Sequence, residues 1–384
     1  MSDKITSQMA KQIARRFLAI LAVVSSAACA TSSVKQQGID QAISHIVVQE
    51  IDALRSNTEL DTVSAVVVTG DTSHEFHFGQ LDNAAKPTSR TLYDIGSITK
   101  THTGLLVAMA FQDGLIDLDD DVAQYVPEFV PVRIEGSDAP VTIRHLLTHV
   151  SGLPTDIACG ETALRPQARL DCFMAHDQAD LLARIRDTEL LSEPGSEYLY
   201  SNAGIRILGL VVERVYQEPY DLLLKRLVFA KTGQEDTHAF LTDEDRDRWQ
   251  IGAHENGEPT PDASAYFNPA GGLKSTTADM SKYLSFWLDE TNILAAEASR
   301  QLVGESDGLG RAYVWNTFRM DTEGQLYHGG GTFGTSSWIS IYPREKLGIF
   351  LVTPYVSQTA QGELNVAANR IVARLRRDEL VQTQ

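Results

Sequence analysis

Apolar residues recur at helical spacing near the start of the chain and then follow a strand pattern. Residues 39–54 carry their aliphatic side chains on one face at a period near 3.6, which predicts an amphipathic helix. The β-branched run Val63 to Val68 predicts a strand. After a turn at Gly70–Asp71, the alternation in His74 to Phe78 predicts a returning strand. The first part of the chain is therefore predicted to be a helix followed by a β-hairpin.

The middle of the chain changes to helical spacing. An apolar run follows Ser97 and ends at Asp113–Gly114, which is typical of a helix C-terminus, so a helix is predicted to begin at Ser97. Further helices are predicted over Thr142–Leu147, Ile205–Val215 and Thr277–Leu288.

Strand patterns return toward the C-terminus, and a last helix follows them. The predicted elements are strands over Ala312–Phe318, Gln325–His328, Ser336–Tyr342 and Leu347–Thr353, and a helix over Gly362–Arg377. This order predicts an α+β fold, in which N- and C-terminal strands form one antiparallel sheet flanked by helices, with an inserted, mainly helical lobe. We expect a single domain over 41–380, with its α/β lobe at about 41–95 and 270–380 and its helical lobe at about 96–269.

The first thirty residues have the pattern of a secretory signal. A basic segment precedes a short apolar stretch and small residues, which predicts a signal peptide over 1–30, followed by a linker over 31–40. Two processing outcomes stay open. Cleavage after Ala30 would release a soluble protein, whereas a lipid on Cys29 would tether the protein to a membrane. In either case we expect a periplasmic or secreted protein.

Composition and charge narrow the classes of partner. The 384 residues are 43% hydrophobic, which is typical of a globular protein. With 33 basic and 51 acidic residues the net charge is −18, and no basic cluster is present, so nucleic acid is not an expected partner. Removal of the signal leaves two cysteines, and an even count in an exported chain predicts a Cys159–Cys172 disulfide.

Candidate chemistry begins at Ser97–Ile98–Thr99–Lys100. If a helix begins at Ser97, this serine and Lys100 lie one turn apart on the same face. A serine hydroxyl becomes a good nucleophile when a neighbouring base takes its proton, and a buried lysine amine can serve as that base. A four-residue pattern is common by chance, so the rest of the chain has to support this interpretation.

Two later segments add candidate site residues to Ser97 and Lys100. Tyr200–Ser201–Asn202 lies before the helix at Ile205, and His328–Gly329–Gly330–Gly331 follows a predicted strand. With Ser97–x–x–Lys100 these segments, in this order, resemble the serine penicillin-recognising family, which includes class C β-lactamases, related D,D-peptidases and esterases. The resemblance also includes 148–153 and 270–273, and it extends from about Val63 to Val352.

The resemblance implies a role for each residue in a serine acyl-hydrolase without cofactor or metal. Ser97 would form an acyl-enzyme with a small molecule or peptide that has a reactive carbonyl. Lys100 would be the base, and Tyr200 would relay the proton, as a phenolate or as a hydrogen-bonded phenol. The substrate would be bound by Asn202, which would also hold the Lys100 ammonium, and by His328, Gly330 and Gly331. The N–H groups of Ser97 and Gly331 would form the oxyanion hole.

One departure from the family pattern bears on the substrate. The β-lactamases of this class carry a lysine where this chain has His328. A neutral imidazole holds a substrate carboxylate less strongly than an ammonium does. Peptide, amide or ester substrates are therefore favoured over efficient hydrolysis of β-lactams.

Two alternatives compete with this interpretation. A non-catalytic relative would bind cell-wall peptides or a partner protein, but it would not need Ser97, Lys100, Tyr200 and Asn202 together. The pattern Gly304–x–Ser306–x–Gly308 fits an α/β-hydrolase nucleophile, but no apolar strand leads into it, so a surface turn is predicted there.

Overall fold

The computed structural model describes residues 36–157, 159, 165–320 and 323–381. Its helices are α1 (36–57), α2 (Thr99–Gln112), α3 (Ile143–Leu147), α4 (Pro166–Ala175), α5 (Gln178–Ile185), α6 (Asn202–Tyr216), α7 (Tyr220–Leu223), α8 (Ala230–Thr232), α9 (Asp243–Arg246), α10 (Thr277–Leu288), α11 (Ile293–Ala298) and α12 (Ala360–Arg377). Its strands are β1 (Val63–Thr69), β2 (Thr72–Phe78), β3 (Leu92–Asp94), β4 (Trp249–Gln250), β5 (Ala253–His254), β6 (Lys274–Ser275), β7 (Val303–Gly304), β8 (Gly308–Arg311), β9 (Asn316–Met320), β10 (Glu323–Gly331), β11 (Ser336–Tyr342), β12 (Leu347–Thr353) and β13 (Tyr355–Val356).

One eight-stranded sheet joins the two ends of the chain. Its strand order is β2-β1-β12-β11-β10-β9-β8-β7, and every neighbouring pair is antiparallel. The N-terminal strand β1 pairs with the C-terminal strand β12, with Ala65 opposite Leu351. The predicted α+β fold, with a sheet built from both ends of the chain, is therefore confirmed.

Helices cover both faces of this sheet. On one face α1 and α12 pack against the sheet, and Ile43 and Ile371 lie in the same buried cluster as Val67. On the other face the sheet packs against the helices between β3 and β11, and Val66 and Phe350 belong to that larger core. Because both faces are covered, every residue of β12 is buried, and the strand is a continuous apolar run without alternation.

Helix α2 lies at the centre of the larger core. Residues 99–110 are buried around the whole circumference of the helix, so its position is fixed from all sides. The Thr103 hydroxyl donates to Pro269 O at 2.6 Å, and the backbone N–H of Leu273 donates to Thr99 Oγ1 at 3.2 Å. These bonds fix the 269–273 segment against the N-terminal half of α2.

Several predicted boundaries were wrong. The α-helix predicted from Ser97 begins at Thr99, after a 3₁₀ turn over Gly96–Ile98. The run predicted as one strand over Ala312–Phe318 is a buried turn followed by β9. Helix α1 begins by residue 36, so the second half of the predicted 31–40 linker is helical.

The predicted signal peptide and Cys29 lie outside the described residues. In the part of the chain that is described, no helix is both long enough and apolar enough to cross a membrane.

Candidate active site

The 3₁₀ turn over Gly96–Ile98 sets the position of Ser97. Gly96 has φ +54°, and a Cβ added to it would lie 2.5 Å from Gly331 N, so only glycine fits between this turn and β10. The Ser337 hydroxyl donates to Ile95 O at 3.0 Å and fixes the turn to β11. Ser97 is thereby held against the edge of the sheet at the point where α2 begins.

Lys100 lies directly behind Ser97. Its Nζ donates to Ser97 Oγ at 2.9 Å and to Ala270 O at 2.6 Å, and the side chain is fully buried. Burial lowers the pKa of Lys100 to about 7, while the Asp156 carboxylate acts in the opposite direction. Near neutral pH a substantial fraction of Lys100 is therefore an uncharged amine that can accept a proton.

Tyr200 approaches Ser97 from the helical lobe. Its phenol donates to Ser97 Oγ at 2.8 Å, and its ring lies 4.9 Å from Lys100 Nζ. Burial raises the pKa of Tyr200 above its ordinary value, and the hydrogen bond to Ser97 only partly opposes this. Tyr200 is therefore a neutral phenol at physiological pH, and Lys100 is the group of the two that can take a proton.

His149 holds the segment that carries Tyr200. The backbone N–H of Leu199 donates to His149 O at 2.8 Å, and that of Ser201 donates to His149 Nδ1 at 3.2 Å. The two rings of His149 and Tyr200 lie 4.7 Å apart, and His149 has a left-handed φ of +58°, which is uncommon for a residue other than glycine. His149 therefore has a structural role, because it holds the segment that carries Tyr200.

The glycines at the end of β10 face the cleft on an unpaired edge. Pairing between β10 and β9 ends at Tyr327, whereas pairing with β11 continues to Gly331. A Cβ on Gly330 would lie 2.2 Å from both Ile95 O and Ser337 Oγ. The motif that was predicted to follow a strand is therefore the end of the strand itself, and Gly331 lies at the exposed mouth of the cleft.

His328 is buried and uncharged. Its Nδ1 lies 2.7 Å from Gly329 O, and because a carbonyl oxygen only accepts, Nδ1 carries the proton. Burial, together with the neighbouring charge of Lys100, lowers the pKa of His328 to about 4. Nε2 is therefore a hydrogen-bond acceptor at neutral pH, which makes His328 a poor partner for a carboxylate.

Asn202 differs from its predicted placement. Its side-chain amide donates to Asp156 Oδ2 at 3.1 Å, whereas the two hydrogen bonds of Lys100 go to Ser97 and Ala270. Among the described residues Asn202 therefore orients Asp156 and does not hold the Lys100 ammonium. Asn202 still lines the cavity beside Ser97, where a substrate amide would reach it.

The disulfide shapes one wall of the same cavity. Cys159 and Cys172 are bonded to each other, and Cys172 lies on α4. Arg169 and Phe173 of α4 line the cavity together with Ser97. Helix α4, whose position the sequence did not predict, therefore lines the candidate site.

Comparison with known proteins decides the family. Residues 47–373 match the sequence profile of the family described as Beta-lactamase. The chain belongs to the β-lactamase family.

Individual members of the β-lactamase family are only distantly similar. Protein flp of Staphylococcus aureus (strain N315) is 26% identical over 287 residues, which are 72% of this chain and 55% of that protein. Beta-lactamase-like protein 2 of Dictyostelium discoideum is 30% identical over 202 residues, which are 51% of this chain and 36% of that protein. The chain thus spans about half the length, or less, of these curated relatives.

Solved structures of β-lactamase-family proteins have the same fold. The β-lactamase/D-alanine carboxypeptidase of Yersinia pestis superposes with a TM-score of 0.73 at 23% identity, covering 87% of this chain and 98% of that one. The class C β-lactamase of Rhodobacter sphaeroides superposes with a TM-score of 0.71 at 20% identity, covering 86% of this chain and 99% of that one. An octameric penicillin-binding protein homologue of Pyrococcus abyssi superposes with a TM-score of 0.68 at 22% identity, covering 84% of this chain and 76% of that one.

Ser306, the alternative nucleophile, does not lie where an α/β-hydrolase nucleophile would. Ser306 lies in the exposed turn between β7 and β8, which pair as an antiparallel hairpin. An α/β-hydrolase nucleophile needs a sharp turn from a strand into a helix. The prediction of a surface turn at 304–308 is correct.

Proposed function

We propose that the protein is an exported serine hydrolase that cleaves esters, amides or peptides through an acyl-enzyme on Ser97. One observation carries the proposal: Ser97 Oγ lies 2.9 Å from a fully buried lysine amine and 2.8 Å from a phenol. A binding module has no need for a serine placed between a base and an acid. The β-lactamase-family fold supplies the scaffold, and the reaction is inferred from this geometry.

Acylation would begin with transfer of the Ser97 proton to the neutral Lys100 amine as Oγ attacks the carbonyl carbon. The N–H groups of Ser97 and Gly331 would stabilise the resulting oxyanion, and each such donor is typically worth about 3 kcal/mol in the transition state. Tyr200 would give its proton to the leaving group and recover one from the Lys100 ammonium. Deacylation would reverse these roles, with water as the nucleophile.

The uncharged His328 supports esters and amides as substrates. A β-lactam has a carboxylate beside its reactive carbonyl, and a lysine ammonium at this position would hold that group with a charge-assisted bond. Turnover of a short-chain aryl ester, a D-Ala-D-Ala peptide and a chromogenic cephalosporin, measured side by side, tests the proposal. We expect the aryl ester, which has no carboxylate, to have the highest kcat/KM. Failure to turn over any of the three would contradict a hydrolase with this substrate range.

A single substitution should change this preference. In His328→Lys the ratio of cephalosporin to aryl-ester kcat/KM is expected to rise roughly tenfold, because a charged donor replaces a neutral acceptor. His328→Gln, which is neutral, is the matched control and should leave the ratio within about twofold. A ratio that is unchanged in His328→Lys would show that the charge at this position does not select the substrate.

The disulfide supports export. Cys159 and Cys172 are bonded, and disulfides form and persist mainly in oxidising compartments. Expression of the full chain in a Gram-negative host should give a mature protein that has lost residues 1–30, or one that begins at a lipidated Cys29. Intact mass distinguishes these two products. A protein recovered with its first thirty residues attached would contradict the export prediction.

A further inference from the structure

Three aromatic side chains form one side of the cavity beside Ser97. Phe173 on α4 lies 5.6 Å from Tyr266 and 6.4 Å from Phe333, and Tyr266 and Phe333 lie 6.1 Å apart, all measured between ring centroids. All three line the same cavity as Ser97 and Gly331. Three mutually contacting rings form an apolar surface that suits a flat or branched hydrocarbon group.

Two guanidinium groups lie at the same cavity. Arg169 is exposed and stacks over Phe173 at 5.4 Å, whereas Arg206 is half-buried and donates through one Nη to His176 O at 3.0 Å and to Asp177 O at 3.2 Å. Within the described part of the chain, no carboxylate lies within ion-pair distance of either group. Both cations are therefore available to an anion that enters the cavity.

The charge balance of the cavity favours an anionic ligand. Two acidic residues, Asp94 and Asp156, line the cavity. Asp94 Oδ1 lies 3.8 Å from Lys274 Nζ, and burial raises the pKa of the Asp156 carboxyl group. Because Lys274 balances the charge of Asp94, the two arginines outweigh the remaining carboxylate, that of Asp156, on a protein whose net charge is −18. A local excess of positive charge on an acidic protein attracts and orients anions at that place.

The cavity lies on the acyl side of the reacting carbonyl. The leaving group receives its proton from Tyr200, so it must lie on the side of Tyr200. Tyr198, Arg311 and His328 are on that side, with Arg311 4.2 Å above the Tyr198 ring, and none of these residues lines the aromatic cavity. The part of the substrate that stays on Ser97 is therefore the part that the cavity holds.

We propose that the natural acyl group has an aromatic or branched apolar body that ends in a carboxylate. The apolar body packs among Phe173, Tyr266 and Phe333, and the carboxylate binds Arg169 and Arg206. This inference rests on the proposed function, because it names the substrate class of the same serine site.

Two p-nitrophenyl esters with the same leaving group test the inference. One is the ester of phenylacetic acid and the other is the ester of 4-carboxyphenylacetic acid. The wild-type protein is expected to prefer the carboxylated ester by about tenfold in kcat/KM, since a charge-assisted bidentate bond is gained. In Arg169→Gln this preference should fall to within about twofold of unity.

The matched control is Arg165→Gln. Arg165 lies four residues before Arg169, its side chain is 84% exposed, and it does not line this cavity. The Arg165→Gln variant should keep the full preference for the carboxylated ester.

The outcomes separate this inference from the proposed function. If the wild-type protein hydrolyses neither ester, the proposed function itself is contradicted. If it hydrolyses both at equal kcat/KM, or if the preference survives in both Arg169→Gln and Arg206→Gln, the hydrolase stands and the anionic acyl subsite is overturned.

Discussion

Replacing Ser97 with alanine is expected to lower kcat/KM for the best ester or peptide substrate by about 10⁴-fold or more, because its hydroxyl is the one that contacts both Lys100 and Tyr200. The side chain is half-buried and the backbone of the turn is held by Gly96 and Ile95, so the variant should fold. A thermal midpoint within a few degrees of the wild-type value would verify this. Steady-state kinetics with an active-site titration measures the loss.

The competing serine provides the control for this prediction. Ser306→Ala changes an exposed turn residue and should retain wild-type kcat/KM. If Ser306→Ala were inactive and Ser97→Ala active, the nucleophile would have been assigned to the wrong serine. Activity retained in both variants would show that neither hydroxyl forms the acyl-enzyme.

The second large effect is expected at Lys100. Because burial lowers its pKa to about 7, kcat/KM for an uncharged ester should rise with pH through about 7 and level off above it, as the neutral amine becomes the dominant form. Lys100→Met should lose about 10²- to 10⁴-fold in kcat/KM and should lose this acid limb. A pH–rate profile of both proteins between pH 5 and 9 measures the two effects.

The variant Lys100→Arg tests whether Lys100 acts as a base or through its positive charge. Lys100→Arg keeps a cation near Ser97 Oγ and Ala270 O, but a guanidinium does not lose its proton in this pH range. If Lys100 acts as the base, this variant should be as inactive as Lys100→Met. If the arginine variant stayed within tenfold of the wild type, the lysine would act through its positive charge and the base would have to be another group.

The sequence located the candidate site residues because each lies in a short local motif. Ser97 and Lys100 are one turn apart in any helix-like geometry, so the predicted contact holds although the α-helix begins only at Thr99. Tyr200 and the glycines at 329–331 lie far from Ser97 along the chain, and their resemblance to a family pattern placed them. Their separate positions on a helical-lobe loop and a sheet edge explain why local propensity alone did not bring them together.

Residues that depend on tertiary packing were not found from the sequence. Arg169 and Phe173 lie on α4, which the disulfide bonds to Cys159, and the sequence of this helix gives no local signal that it lines the cavity. The partner of Asn202 is Asp156, which lies 46 residues earlier in the chain and outside any motif that the sequence offered. His149 was found only in part. Its segment, 148–153, belongs to the family resemblance, but the sequence did not predict the two hydrogen bonds that it accepts from the backbone beside Tyr200.

A buried turn also explains the wrong strand boundary at Ala312. Residues 312–315 are fully apolar and almost completely buried, so their pattern matches that of a central strand. The backbone instead turns, with a left-handed φ of +70° at Val314, whose N–H donates to Leu147 O at 3.1 Å. A short apolar run does not distinguish these two structures, because both bury the same side chains.

If Ser97 forms a covalent acyl-enzyme, incubation with a fluorescent penicillin or an activated ester, followed by intact-mass measurement and peptide mapping, will detect it. We predict one acyl adduct per chain on the peptide that contains Ser97, and no adduct in Ser97→Ala. An adduct that survives in Ser97→Ala, or the absence of an adduct with every acyl donor together with an absence of turnover, would contradict an acyl-enzyme on Ser97.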